Sequence, residues 1–205
     1  MDGVITNTMP LHFDTWKTVL EEAGVKVNCY DIYAREGEKG IVTVKSMLER
    51  EGIAFDDEKV KSILAKKEAL FQRKAKPVLI DHAREFIQCL KAKKFKLGLV
   101  TGTSRNELKL ILPEDIFKLF DMSVTGDEVT DGKPHPEPYL TALEKLGISA
   151  KDAVVIENAP YGIKSAKAAG IFTIAVETSL PKKYLKQADI ILSSITAAAK
   201  LICSS

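Results

Sequence analysis

The chain has 205 residues, 45% of them apolar and 28% charged, a balance that fits a folded globular protein and excludes a disordered one. A formal net charge of +2 gives no electrostatic reason to expect a nucleic-acid partner. No apolar run approaches the ~20 residues a bilayer-crossing helix needs, and Met1-Asp2-Gly3 opens no secretory signal, so we expect a cytoplasmic protein with no membrane partner.

In chain order, a short opening segment, Asp2-Gly3-Val4-Ile5-Thr6-Asn7, leads into Pro10–Ala23, an amphipathic helical pattern with Pro10 suited to its first turn. Three more helical patterns follow without a strand between them, Tyr30–Glu36, Val42–Glu51 and Asp57–Lys74. Ala75-Lys76-Pro77 reads as a hinge. Residues 9–76 are therefore expected to form a small helical cap inserted near the start of a larger unit made of residues 1–8 and 77–205.

From Val78 onward the pattern alternates. Strand-like runs at Lys96–Val100, Met122–Val124, Ala153–Ile156, Phe172–Val176 and Ile190–Leu192 interleave with helical stretches at Asp81–Lys93, Arg105–Leu112, Glu137–Leu146, Ile163–Ala169 and Ser194–Ile202. Gly147 and Gly170 stand where helix C-termini favour a positive φ. Strand-then-helix alternation predicts an α/β class, a Rossmann-like parallel sheet flanked by helices, with ligands bound at the C-terminal strand ends. Cys29, Cys89 and Cys203 show no CxxC spacing and read as reduced, idle thiols.

Four segments carry candidate chemistry. Asp2-Gly3 puts a carboxylate beside a turn glycine, which serves an acid/base role or an ordinary turn. Leu97-Gly98-Leu99-Val100-Thr101-Gly102-Thr103-Ser104 runs an apolar strand into small hydroxyl and glycine residues; the Thr101 hydroxyl and the backbone at Gly102 suit a phosphate, and Thr103 or Ser104 suits a helix cap. Asp131-Gly132-Lys133-Pro134-His135-Pro136 fixes an ammonium in a rigid turn, at a phosphate or at the surface. Val154-Val155-Ile156-Glu157-Asn158-Ala159-Pro160 delivers two oxygen-bearing side chains at a strand end, as Mg2+ requires, and Asn158 can equally cap the next helix. All four fall in loops after core strands.

These four segments resemble the sequence motifs of the haloacid dehalogenase superfamily. Asn7-Thr8-Met9-Pro10-Leu11-His12, Arg35-Glu36-Gly37 and the stretch Val155–Ala169 resemble its β-phosphoglucomutase-like branch. The resemblance implies that Asp2 is the general acid/base and lends its carbonyl to Mg2+. It implies that Thr101, Gly102 and Lys133 bind the phosphoryl group, and that Glu157 and Asn158 hold the metal. The reaction it implies is magnesium-dependent phosphate hydrolysis of a small phosphorylated substrate through a phosphoaspartate, by a monomer; a sugar-phosphate mutase and a non-catalytic phosphate-binding module are the alternatives.

Two positions depart from the family pattern. The pattern is Asp-x-Asp-Gly, with its first Asp the nucleophile; Met1 stands at x here. The nucleophile and the strand bearing it are absent from the given residues, and the natural protein is expected to begin upstream. Asn158 stands where most relatives carry Asp. In the helical segment, His12, Glu36 and Lys67 match positions used by pyrophosphatase-like members. Lys67 lies in Asp57–Lys76, which carries seven cations against three carboxylates; such a face is solvated or steers a small polyanion. Inorganic pyrophosphate and a sugar phosphate are the substrates this implies.

Overall fold

The computed structural model describes residues 1–203. The opening residues form a tight turn with two isolated bridges, Asp2 to Thr6 and Thr6 to Leu79. Four helices follow: α1 (Met9–Glu22), α2 (Cys29–Tyr33), α3 (Gly40–Arg50) and α4 (Asp57–Lys74). Asn28 caps α2 in a reciprocal box with Asp31, and Asp56 caps α4 by accepting from the Lys59 N–H. Trp16, Leu20, Val44, Met47, Leu48 and Val60 join their apolar faces into one cluster. The helix predicted over Tyr30–Glu36 is shorter, because turns take over before Gly37, whose φ is 88°.

The rest alternates as the pattern predicts: α5 (Ala83–Ala92), β1 (Gly98–Val100), α6 (Arg105–Ile111), α7 (Glu114–Phe117), β2 (Met122–Val124), α8 (Glu137–Leu146), β3 (Val154–Glu157), α9 (Pro160–Ala168), β4 (Phe172–Val176), β5 (Ile190–Leu192) and α10 (Ile195–Cys203). The short α7 is additional to the sequence expectation. All strand pairs are parallel, and among the described residues they form two sheets, β1-β2 and β3-β4-β5. A mostly apolar cavity of about 360 Å3 lies along the two, lined by Met1, Leu97, Leu99, Val155, Ile156 and Ile174 among others. Phe71, at the end of α4, is fully buried in the larger core cluster with Phe86, Ile111 and Ile195, so α4 belongs to both apolar clusters' surroundings.

The cysteine expectation is corrected. Cys89 on α5 and Cys203 on α10 form a disulfide with Cα atoms 6.4 Å apart, and only Cys29 is a free thiol. Helices α5 and α10 pack on each other, which brings together two residues 114 positions apart.

Candidate active site

The turn after Met1 points the Asp2 carboxylate inward. Gly3 has φ 71°, and a Cβ there would meet the Asn158 side chain at 2.0 Å, so a residue with a side chain cannot take its place without displacement. Thr178 donates to the Gly3 carbonyl and fixes the turn.

Asp2 is 2% exposed. Its Oδ1 accepts from the Thr8 hydroxyl at 2.5 Å and contacts His12 Nε2 at 3.2 Å. Its Oδ2 accepts from the hydroxyls of Thr101 at 3.1 Å and Thr103 at 3.0 Å. Burial by itself raises a carboxyl pKa, but the His12 bond and charge, with the Thr8 bond, outweigh it and hold Asp2 well below the ordinary carboxylate range. A buried carboxylate with this many donors is ionised and held in one orientation.

Lys133 follows the β2 side of the site, with a cis bond to Pro134. Its Nζ donates to Glu157 Oε1 at 2.5 Å. The Tyr139 hydroxyl donates to the same oxygen at 2.7 Å, and the Asn158 N–H donates to Oε2 at 3.0 Å. Burial pushes Glu157 up, and Lys133 with its neighbours brings it net below its usual value; burial beside Glu157 pushes the Tyr139 phenol well up. A Cβ at Gly162, in the first turn of α9, would strike the Glu157 carboxylate at 2.2 Å. Asn158 is 1% exposed and donates from Nδ2 to Ser179.

The helical segment meets these loops through bare backbone. A Cβ at Gly102 would lie 2.5 Å from Gly37 Cα, and the Lys133 N–H donates to the Gly37 carbonyl at 3.1 Å. This contact brings Glu36 to the site: Asp2, His12 and Glu36 present ligand atoms within 4.8 Å of one another. Burial raises the Glu36 pKa despite the opposing His12. His12 stacks on Phe71 with ring centroids 4.4 Å apart, and Lys67 Nζ lies 4.6 Å from the same ring on its way to Glu107 Oε1 at 3.8 Å. A cleft of about 270 Å3 opens here, lined by His12, Glu36, Lys67, Gly102, Thr103 and Glu107 among others.

The candidates named from sequence lie in two side-chain groups and along the cleft beside them. His12, Glu36 and Thr101 gather around the buried Asp2 carboxylate, Lys133, Glu157 and Asn158 form a second network, and Gly102 and Lys67 line the cleft. Lys133 is not the surface charge the sequence also allowed: it is buried and bonded to the Glu157 carboxylate. Thr8, Thr103, Glu107 and Tyr139 were missed. Thr103 was legible only as a helix cap, and Ser104 performs that capping, by accepting from the Glu107 N–H.

The family model described as haloacid dehalogenase-like hydrolase matches residues 1–176. A phosphorylated carbohydrates phosphatase of Thermotoga maritima is 34% identical, over 83% of this chain and 79% of that protein. A validoxylamine A 7'-phosphate phosphatase of Streptomyces hygroscopicus subsp. limoneus is 30% identical, over 96% of this chain and 92% of its own length. Among solved structures, a putative β-phosphoglucomutase from Bacteroides vulgatus superposes with a TM-score of 0.87 at 32% identity, covering 98% of this chain and 84% of that one.

Proposed function

The chain belongs to the haloacid dehalogenase-like hydrolases, and on that premise we propose that it is a magnesium-dependent phosphohydrolase of small phosphorylated substrates, sugar phosphates or inorganic pyrophosphate. The observation that carries the reading is the Asp2 carboxylate, buried and held at both oxygens by Thr8, His12, Thr101 and Thr103. A carboxylate fixed in this way suits taking a proton from an attacking water and giving one to the leaving oxygen of a phosphoester.

In this reading the Thr101 hydroxyl, the Gly102 backbone and the Lys133 ammonium orient the phosphoryl group. Lys133 leaves Glu157 to do so, or shares itself between the two. Residues 9–76 act as the cap that excludes water over the cleft. His12 keeps Asp2 ionised between turnovers. Of the Asp-x-Asp-Gly pattern, Met1 takes the x position and Asp2-Gly3 the acid/base end.

Mg2+ fits the donor set: Glu157, the Asn158 carbonyl oxygen and the Asp2 backbone are hard oxygens, and the bare Gly3 lets the Asp2 turn touch Asn158. Bound there, the ion would neutralise charge on the phosphoryl oxygens.

The test is phosphate release with and without Mg2+, from a panel of sugar phosphates and from pyrophosphate. Residues 1–205 are run beside a version extended upstream by a strand ending in the Asp of the pattern. Magnesium-dependent release from the extended chain, abolished by Asp2→Asn, supports the proposal. Phosphate binding by both chains with no release by either would replace it with a binding module, and formation of an isomeric sugar phosphate faster than free phosphate would replace it with a mutase.

A further inference from the structure

One group in the cleft is unsatisfied. Glu107 Oε1 is the buried side-chain polar atom that lacks a hydrogen-bond partner among the described residues. Glu107 is 5% exposed and projects from the second position after the start of α6 onto the cleft wall. A buried acceptor left in this state costs free energy, and its persistence calls for an explanation. Its nearest cation, Lys67 Nζ, stands 3.8 Å away, beyond hydrogen-bond range. Lys67 is 6% exposed and rests on the rings of Phe71 and Trp16.

An ammonium and a carboxylate that flank a gap of this kind match a group able to donate and accept at once. A hydroxyl does both: its hydrogen goes to the carboxylate and its lone pair takes the ammonium hydrogen. A phosphate oxygen cannot donate when ionised and would face Glu107 with like charge. The rest of the wall argues the same way. Of the cleft's three cations, Arg35 is already bonded to Glu38 and Ser46, and Lys39 to the Val129 carbonyl. Five carboxylates share that wall, which is poor ground for a second phosphate.

We propose that Lys67 and Glu107 form a hydroxyl-recognition subsite across the junction of α4 and α6, selecting a polyol or sugar phosphomonoester over inorganic pyrophosphate. This rests on the phosphohydrolase reading for its substrate class. The subsite is within reach of the Asp2 group: Thr103, which donates to Asp2, lies four residues before Glu107, and His12 shares the Phe71 ring with Lys67. The helical segment supplies the ammonium and the α/β part the carboxylate, so a substrate hydroxyl also holds the two against each other.

The experiment is calorimetric binding to the full chain of glycerol phosphate, of propyl phosphate, which lacks the hydroxyls, and of pyrophosphate. Sites built around a hydroxyl reject the analogue lacking it, and we expect glycerol phosphate to bind about tenfold or more tighter than propyl phosphate. The same ratio should fall to within about twofold in Glu107→Ala and in Lys67→Met. Glu107→Gln, which keeps the shape, gives an intermediate ratio and serves if the alanine variant does not fold. Equal binding of the two esters to the unaltered protein, or tighter binding of pyrophosphate than of glycerol phosphate, overturns the subsite. Turnover is read separately, on the extended chain: absence of phosphate release there counts against the phosphohydrolase, while the binding ratio still decides the subsite.

Discussion

Lys133 Nζ and Glu157 Oε1 form a 2.5 Å ion pair, with both side chains about 95% shielded from solvent. Removing one partner leaves the other charge buried and uncompensated, which typically costs about 3–5 kcal/mol. Lys133→Met should therefore destabilise strongly, with Tyr139 and the Asn158 N–H softening the loss. The double variant Lys133→Met, Glu157→Gln should recover most of it. Urea unfolding of the three proteins measures this; a single variant within about 1 kcal/mol of the parent would show that water reaches the pair.

Asp2→Asn keeps the shape of the side chain, and the neighbouring hydroxyls can reorient to meet an amide. The fold and phosphate binding should survive. Phosphate release by the extended chain should fall by about 10²–10⁴, the usual worth of a positioned general acid/base. A variant retaining more than a tenth of the parent rate would remove Asp2 from the chemistry.

Gly37 has φ 88°, and a Cβ there would lie 2.4 Å from Lys133 Cδ, whereas Gly52 has φ 66° with nothing near its Cβ position. Gly52→Ala should cost about 1–2 kcal/mol, from the left-handed backbone alone. Gly37→Ala should cost more in thermal unfolding, and should also weaken phosphate binding, because Lys133 must move. Equal losses in the two variants, with binding intact, would show that the loop yields freely.

Asp121 accepts from the Leu97 N–H at 2.6 Å and from Lys91 at 2.9 Å, and the backbone bond first, then the lysine, holds its pKa below the ordinary value. A lowered carboxyl pKa means that its contribution is present above the unfolded pKa of about 3.9 and is lost as pH falls through the folded value. Asp121→Asn should thus be less stable than the parent at neutral pH, with the gap closing below about pH 4. Because the Asp121 side chain is 40% exposed, salt should shrink the Lys91 part of the effect. A gap that persists unchanged at pH 2–3 would assign it to another cause.

The Cys89–Cys203 bond closes a loop with a sequence separation of 114. Chain entropy alone would make such a crosslink worth about 5 kcal/mol, and disulfides typically deliver about 2–4 kcal/mol. Dithiothreitol, or Cys89→Ser, should lower the denaturation midpoint accordingly, and thiol titration of the unfolded oxidised protein should find one reactive group, Cys29. Three titrating thiols before any reductant would show the pair to be reduced.

The sequence by itself determined most of the elements and brought most of the candidate residues to notice. Helix α4 occupies the predicted span because Asp56 caps it and Ala75-Lys76-Pro77 ends it, and α8 does so because Gly147 closes it with φ 63°. The residues Asp2, Thr101, Lys133, Glu157 and Asn158 were legible because each stands at a fixed offset from a strand end or turn, and such offsets are local. What only the tertiary structure decided involves partners far apart in the chain. The Cys89–Cys203 bond, the division of the strands into two sheets, the Tyr139 and Thr103 contacts and the Lys67–Glu107 gap all depend on which helix faces meet. Periodicity records which face of a helix is apolar. It does not record what that face will touch, because packing against another element is set by the whole chain's shape and not by the spacing along it.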